Sequence, residues 1–157
     1  MTCTISTCLW FDGKAEEAVN YYRSVFRNSR TLDVMRYGEH GPGADGSVMA
    51  VKFELNGHPF VALNGGPQFT FSPAISMFIR CQDQEEVDWY WDRLLEGGQP
   101  NRCGWLTDRY GLSWQVVPDA LGAMLQDRDP AKAGRTMKAM LGMTKLNIAE
   151  LKRAYDG

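Results

Sequence analysis

The chain has 157 residues, of which 44% are hydrophobic and 23% charged, enough to bury one substantial core in a single globular domain. Seventeen basic residues stand against nineteen acidic ones, a net charge of −2 with no basic stripe, which argues against a nucleic-acid partner. No run approaches the length of a membrane span, and the start lacks the charged and apolar regions of an export signal, so a cytoplasmic location and no membrane partner are expected.

Cys3 to Phe11 reads as a first strand, ended by Asp12-Gly13. Ala15, Ala18, Val19, Tyr22, Val25 and Phe26 then recur at helical spacing, with Asp12 expected as N-cap and Asn28 as the stop. Glu16 and Glu17 near the start and Arg23 and Arg27 near the end complement the helix dipole. Thr31 to Tyr37, Ser47 to Leu55 and Pro59 to Leu63 are three further strands. A glycine-rich loop containing His40 divides the first two, and Asn56-Gly57 signals a tight hairpin between the others.

The same order then restarts. Ile75 to Cys81 alternates as a strand, Asp83-x-x-Glu86 has the form of a capping box, and Val87, Tyr90, Trp91, Leu94 and Leu95 make a second apolar helix face. Gly97-Gly98 ends that helix. Arg102 to Thr107 and Leu112 to Val117 follow as strands joined by a turn at Asp108 to Gly111. Glu16-Glu17 to Tyr22 aligns with Glu85-Glu86 to Trp91, acidic pair on acidic pair, which favours duplication. The expected fold is therefore α+β: module one over residues 1–66, module two over 67–118, each of βαβββ type with a curved mixed sheet.

Residues 119–157 read as a helical tail. Asp119, Asp129-Pro130 and Asn147-x-x-Glu150 open three helices. Its methionines, Met124, Met137, Met140 and Met143, suit adaptable packing, and its apolar faces lead to the expectation of a homodimer.

Four cysteines stand at positions 3, 8, 81 and 103 with no Cys-x-x-Cys pair or zinc spacing. Cys3, Cys8 and Cys81 are expected as small packing residues. Cys103, between Arg102 and Asp108, is the single weak candidate for a catalytic nucleophile. The two histidines, His40 and His58, are expected on exposed loops.

Several blocks carry a resemblance. They are Leu9 to Gly13, Phe53 to Gly57, Leu63 to Pro67, Gln84 to Asp88, and the ordered run Cys103-Gly104-Trp105-Leu106 through Asp108-Arg109 and Gly111 to Pro118. Together they resemble the vicinal oxygen chelate superfamily of glyoxalase I, bleomycin-resistance proteins and extradiol dioxygenases. Within it they are most similar to the PhnB-like group, often named for a 3-demethylubiquinone-9 3-methyltransferase, and the similarity is read across nearly the whole chain, tail included. No G-x-G-x-x-G strand-to-helix turn supports a methyltransferase cofactor site.

Metal-dependent members of that superfamily place ligands on the first and last strand of each module. The resemblance lays Ile5, Ala62, Ser76 and Gln115 on those positions, a set that cannot hold a catalytic divalent ion. Neither metal nor cofactor is expected. Strand parity taken from the same positions turns Ile5, Thr7 and Leu9, Phe60, Ala62 and Asn64, Ser76, Phe78 and Arg80, and Ser113, Gln115 and Val117 to one cupped face. From these, Thr7, Leu9, Phe60, Asn64, Phe78, Arg80, Ser113 and Gln115 form the expected site for a small organic ligand. Trp114 is then expected to face the helices. Two other readings stay open: a metal-independent enzyme orienting a small polar or anionic substrate with Arg80, Asn64 and Gln115, and a dimeric scaffold with no ligand.

Overall fold

The computed structural model describes residues 3–157; Met1 and Thr2, the first residues of module one as read from sequence, lie outside them. The chain divides into two compact units, residues 1–71 and 72–157.

In the first unit β1 (Thr7–Phe11), α1 (Ala15–Val25), β2 (Ser29–Arg36), β3 (Val48–Leu55) and β4 (His58–Asn64) form a sheet of order β1-β4-β3-β2. β1 runs parallel to β4, and the other pairs are antiparallel. Ala15, Ala18, Val19, Tyr22 and Val25 are the buried stripe of α1, as their spacing requires. Asn56 and Gly57 both take positive φ, 48° and 81°, the geometry of the tight hairpin their sequence signals.

The cap of α1 departs from expectation. Lys14 occupies the N-cap without a side-chain bond, and Asp12 plays no part. The first helical N–H, that of Ala15, donates instead to Asn64 Oδ1 at 2.9 Å, so β4 supplies the cap from across the sheet.

The second unit repeats the pattern: β5 (Ser76–Cys81), α2 (Gln84–Leu95), β6 (Gln99–Pro100), β7 (Trp105–Thr107) and β8 (Ser113–Pro118), in the order β5-β8-β7-β6. The two strand orders are equivalent, with the first strand parallel to the last in each sheet. Two modules of βαβββ type are therefore present, as α+β units of mixed sheet. The two-residue β6 gave no sequence signal, and the strand expected from Arg102 begins only at Trp105 because Cys103 and Gly104 both take positive φ. Asp83 caps α2 by accepting from Glu86 N–H at 2.9 Å.

The tail forms α3 (Asp119–Leu125), α4 (Pro130–Leu141) and α5 (Ile148–Asp156). Asp129 and Asn147 cap α4 and α5 with their side chains; Asp119 lies inside α3, whose N-cap is Pro118. Leu121, Leu146 and Leu151 make its core, with Met124, Met140 and Met143 packed around them. The linker between α4 and α5 is fastened to module two. Cys103 N–H donates to Met143 O, Gly104 N–H to Thr144 O, and the Gln84 amide both donates to Leu146 O and accepts from Ile148 N–H. Lys145 bridges Asp88 at 3.0 Å and Asp92 at 2.8 Å. Burial opposes the charge on Lys145, but bonds to Asp92 and Asp88 outweigh it and raise the pKa; burial likewise opposes ionisation of Asp88, and bonds from Gln84 and Lys145 hold its carboxyl below the usual range.

Candidate functional site

Each sheet has one side against its helix and one side away from it. In module two, β5 and β8 pair Met77 with Trp114, Ile79 with Val116 and Cys81 with Pro118. Ile79, Cys81, Trp114, Val116 and Leu106 are buried, as are Val87, Trp91 and Leu94 of α2, so this is the helix-covered side. Trp114 is 2% exposed and donates from Nε1 to Asp108 Oδ2 at 2.8 Å. The expected division between Trp114 and Gln115 holds here.

The alternate residues of the same strands form the open side. Register pairs Ser76 with Ser113, Phe78 with Gln115 and Arg80 with Val117, and sets Trp105 opposite Gln115. Gln115 Nε2 donates to Ser76 Oγ at 2.9 Å, which leaves the Ser76 hydroxyl proton as a donor and Gln115 Oε1 as an acceptor. Phe78 is 56% exposed. Arg80, with its side chain 74% exposed, donates from Nε to Asp119 Oδ1 at 2.8 Å, a pair too solvated to add much stability. Ser113 shares the parity of this side but is buried.

Module one requires a correction. Leu9 pairs with Ala62 and Phe11 with Asn64, and Leu9, Phe60 and Ala62 are all buried beside Val51 and Phe53. Asn64 reaches Ala15 at the start of α1 and donates from Nδ2 to Val48 O at 3.0 Å, so its amide is consumed in the framework. Thr7 is bonded to His58 at 3.0 Å. Thr7, Leu9, Phe60 and Asn64 therefore lie on the helix-covered side, together with Ala62, and Ile5 precedes β1 altogether. The physical reason is a one-residue slip. Leu9 corresponds to buried Ile79 rather than to exposed Arg80, and shifting a strand by one residue exchanges its faces.

The side of module one away from α1 carries Cys8, Trp10, Val61, Leu63, Lys52 and Glu54. Trp10 is held there by a close approach of backbone. Its Nε1 donates to Gly66 O at 2.8 Å, Phe69 meets it edge-on at 5.0 Å, and a Cβ on Gly65 would fall 2.2 Å from the indole. Sequence reasoning missed both this clamp and Trp105; the Gly65-Gly66 doublet after a strand was the available signal for the first.

Cys103 is half-buried in a turn at φ 59°, and its N–H is spent on Met143 O, so its place in the structure is that of a junction with the tail. Cys3 and Cys8 are exposed, against the expectation of packing residues, whereas Cys81 is buried. Burial, and then the charges of Glu86, Asp119 and Asp83, push the Cys81 thiol up to about 12, which keeps it protonated and unreactive near neutral pH. Among the described residues, no three His, Cys, Asp or Glu side chains gather where one cation could reach them. The module-one equivalents of Ser76 and Gln115 are Ser6 and Val61, so correcting the register introduces no ligand set.

Two concavities of the second unit border the tail. One of about 570 Å3 runs between α4 and α5 past Arg135, Lys138, Met143 and Glu150, and one of about 440 Å3 lies by Gln82, Asn147 and Ile148. In the first, Arg135 already donates to Ala154 O and Tyr155 O as a cap on α5.

A family model described as 3-demethylubiquinone-9 3-methyltransferase matches residues 3–117. The chain belongs to this family. A PhnB protein from Bacillus cereus, carrying the same description, is 38% identical over 74% of this chain and 99% of its own, with a TM-score of 0.67. Protein PA1353 from Pseudomonas aeruginosa is 20% identical over 74% of this chain and 98% of its own, with a TM-score of 0.62. The fosfomycin resistance protein FosX from Listeria monocytogenes is 14% identical over 81% and 99%, with a TM-score of 0.58. These last two share the fold, that of the vicinal oxygen chelate proteins. No functionally curated protein matches the chain. The family match ends at Val117, so α3, α4 and α5 lie beyond it. No described helix is long and apolar enough to cross a membrane.

Proposed function

We propose that this PhnB-like protein binds a small organic molecule on the open side of module two, without a metal ion. The carrying observation is the hydrogen-bonded pair Ser76–Gln115 set beside exposed Phe78 and exposed Arg80 on a sheet side that α2 leaves uncovered. A mostly apolar surface with a few oriented polar groups is the usual make-up of such a site. Phe78, Arg80 and Gln115 carry the proposal, with Ser113 buried behind them. The methyltransferase in the family's description is not carried over. Gly41 to Gly43 lie in the loop between β2 and β3, and Gly65-Gly66 folds over Trp10, so neither segment opens a helix that could cradle a nucleotide-type cofactor.

The proposal extends to a homodimer in the reducing cytoplasm. Exposed Met137 and Leu141, one turn apart on α4, support the first, and four free thiols support the second.

A thermal-shift screen of small organic compounds against wild type and Gln115→Ala tests the ligand face. Gln115→Ala is expected to leave the unliganded melting temperature within about 3 °C, since one half-exposed hydrogen bond is lost. Compounds that stabilise wild type should lose most of their effect in the variant. Equal stabilisation of both proteins by every active compound would place the site elsewhere.

A further inference from the structure

Resting on that ligand face, we infer the class of its ligand: an elongated aromatic monoanion, with a ring over the Phe78–Gln115–Trp105 row and its negative group at Arg80. Register aligns these three residues on the adjacent strands β5, β8 and β7. With strands about 4.8 Å apart, two aromatic side chains flank one amide across roughly 10 Å of sheet, a platform that suits a planar ring system.

Arg80 stands two residues beyond Phe78 on the same side of β5, about 7 Å along the strand. Its Nε donates to Asp119 Oδ1, so the terminal nitrogens keep their N–H groups as donors toward a ligand. The Asp119 carboxylate also limits what these nitrogens bind. Its charge already offsets one positive charge, so a single carboxylate is favoured over a phosphate dianion. At the other end Ser76 lies four residues from Arg80, about 13 Å away. There the Ser76 hydroxyl donates and Gln115 Oε1 accepts, a complement to a neutral hydroxyl or amide. Ser76, Phe78 and Arg80, in line along β5, describe an elongated ligand with an acid at one end, a ring over Phe78 and a hydroxyl at the other.

The probe that fits this description is 4′-hydroxybiphenyl-4-carboxylate, compared by calorimetry with its neutral 4-carboxamide. Wild type should bind the carboxylate roughly ten-fold more tightly than the carboxamide, the size of one charge-assisted hydrogen bond. Arg80→Gln should abolish that preference, and Arg80→Lys should keep part of it. Equal affinity of wild type for the two probes, or a preference that survives Arg80→Gln, would overturn the assignment of the anion to Arg80. Binding of neither probe would overturn the aromatic class itself. The broader ligand-face reading fails separately, through an unaffected Gln115→Ala.

Discussion

Asp108→Ala is expected to lower the stability of the protein by about 3–5 kcal/mol, an effect out of proportion to a turn residue. Asp108 is 3% exposed, and its carboxylate accepts from at least three donors. Oδ1 accepts from Tyr110 N–H at 2.8 Å and Leu112 N–H at 3.1 Å, and Oδ2 accepts from the Trp114 indole at 2.8 Å. Truncation removes the acceptor that orients the β7–β8 turn and that serves the buried Leu112 N–H and Trp114 indole. Urea unfolding followed by circular dichroism measures the loss. Asp108→Asn separates the parts. An amide oxygen can still serve the backbone, but its NH2 would meet the indole N–H donor to donor, so about 1–3 kcal/mol should be lost. In a Trp114→Phe background that second cost should shrink, because the indole donor is gone. A loss under 1 kcal/mol for Asp108→Ala would mean that water replaces the carboxylate and the turn is not set by it.

Gly104→Ala should cost about 3 kcal/mol and loosen the tail, because two penalties coincide at this position. Its φ is 80°, and an added Cβ would lie 2.7 Å from Val116 O and 3.0 Å from Leu146 Cδ1. The backbone cannot simply retreat. Gly104 O accepts from Val116 N–H at 2.8 Å, and Gly104 N–H donates to Thr144 O at 2.8 Å, which fastens the α4–α5 linker to β8. Gly111 provides the comparison within the same module. It has φ 87° with nothing within 4 Å of an added Cβ, so Gly111→Ala should cost only about 1 kcal/mol. Unfolding gives the difference, and limited proteolysis should show earlier cleavage between α4 and α5 in Gly104→Ala alone. Equal costs for the two glycines would show that the close approach to Val116 and Leu146 is accommodated by local movement.

The duplicated order of elements was legible because its signals are local. Helix faces at Ala15 to Val25 and Val87 to Leu94 follow a period of 3.6, and Asn56-Gly57 encodes its own turn. Sidedness was less legible, since it depends on one-residue accuracy. In β8, the resemblance placed a ligand position on Gln115, and the parity taken from it put Trp114 and Gln115 on the faces they occupy. In β1, Thr7-Cys8-Leu9-Trp10-Phe11 has apolar side chains on both faces at Leu9, Trp10 and Phe11, and nothing local distinguishes core from open side. The cap of α1 was hidden for a different reason: Asn64 is 49 residues from Ala15 in sequence, and only the parallel pairing of β1 with β4 brings them together. The strand at Arg102 was cut short by Cys103, whose positive φ a non-glycine residue does not advertise.

The central claim is that the open side of module two is the ligand surface, and amide shift mapping of isotopically labelled protein tests it most directly. On titration with 4′-hydroxybiphenyl-4-carboxylate, the largest shifts should fall at residues 76–80, 105–107 and 113–117. Shifts confined to the groove between α4 and α5, around Lys138 and Glu150, would contradict the account and move the site into the tail.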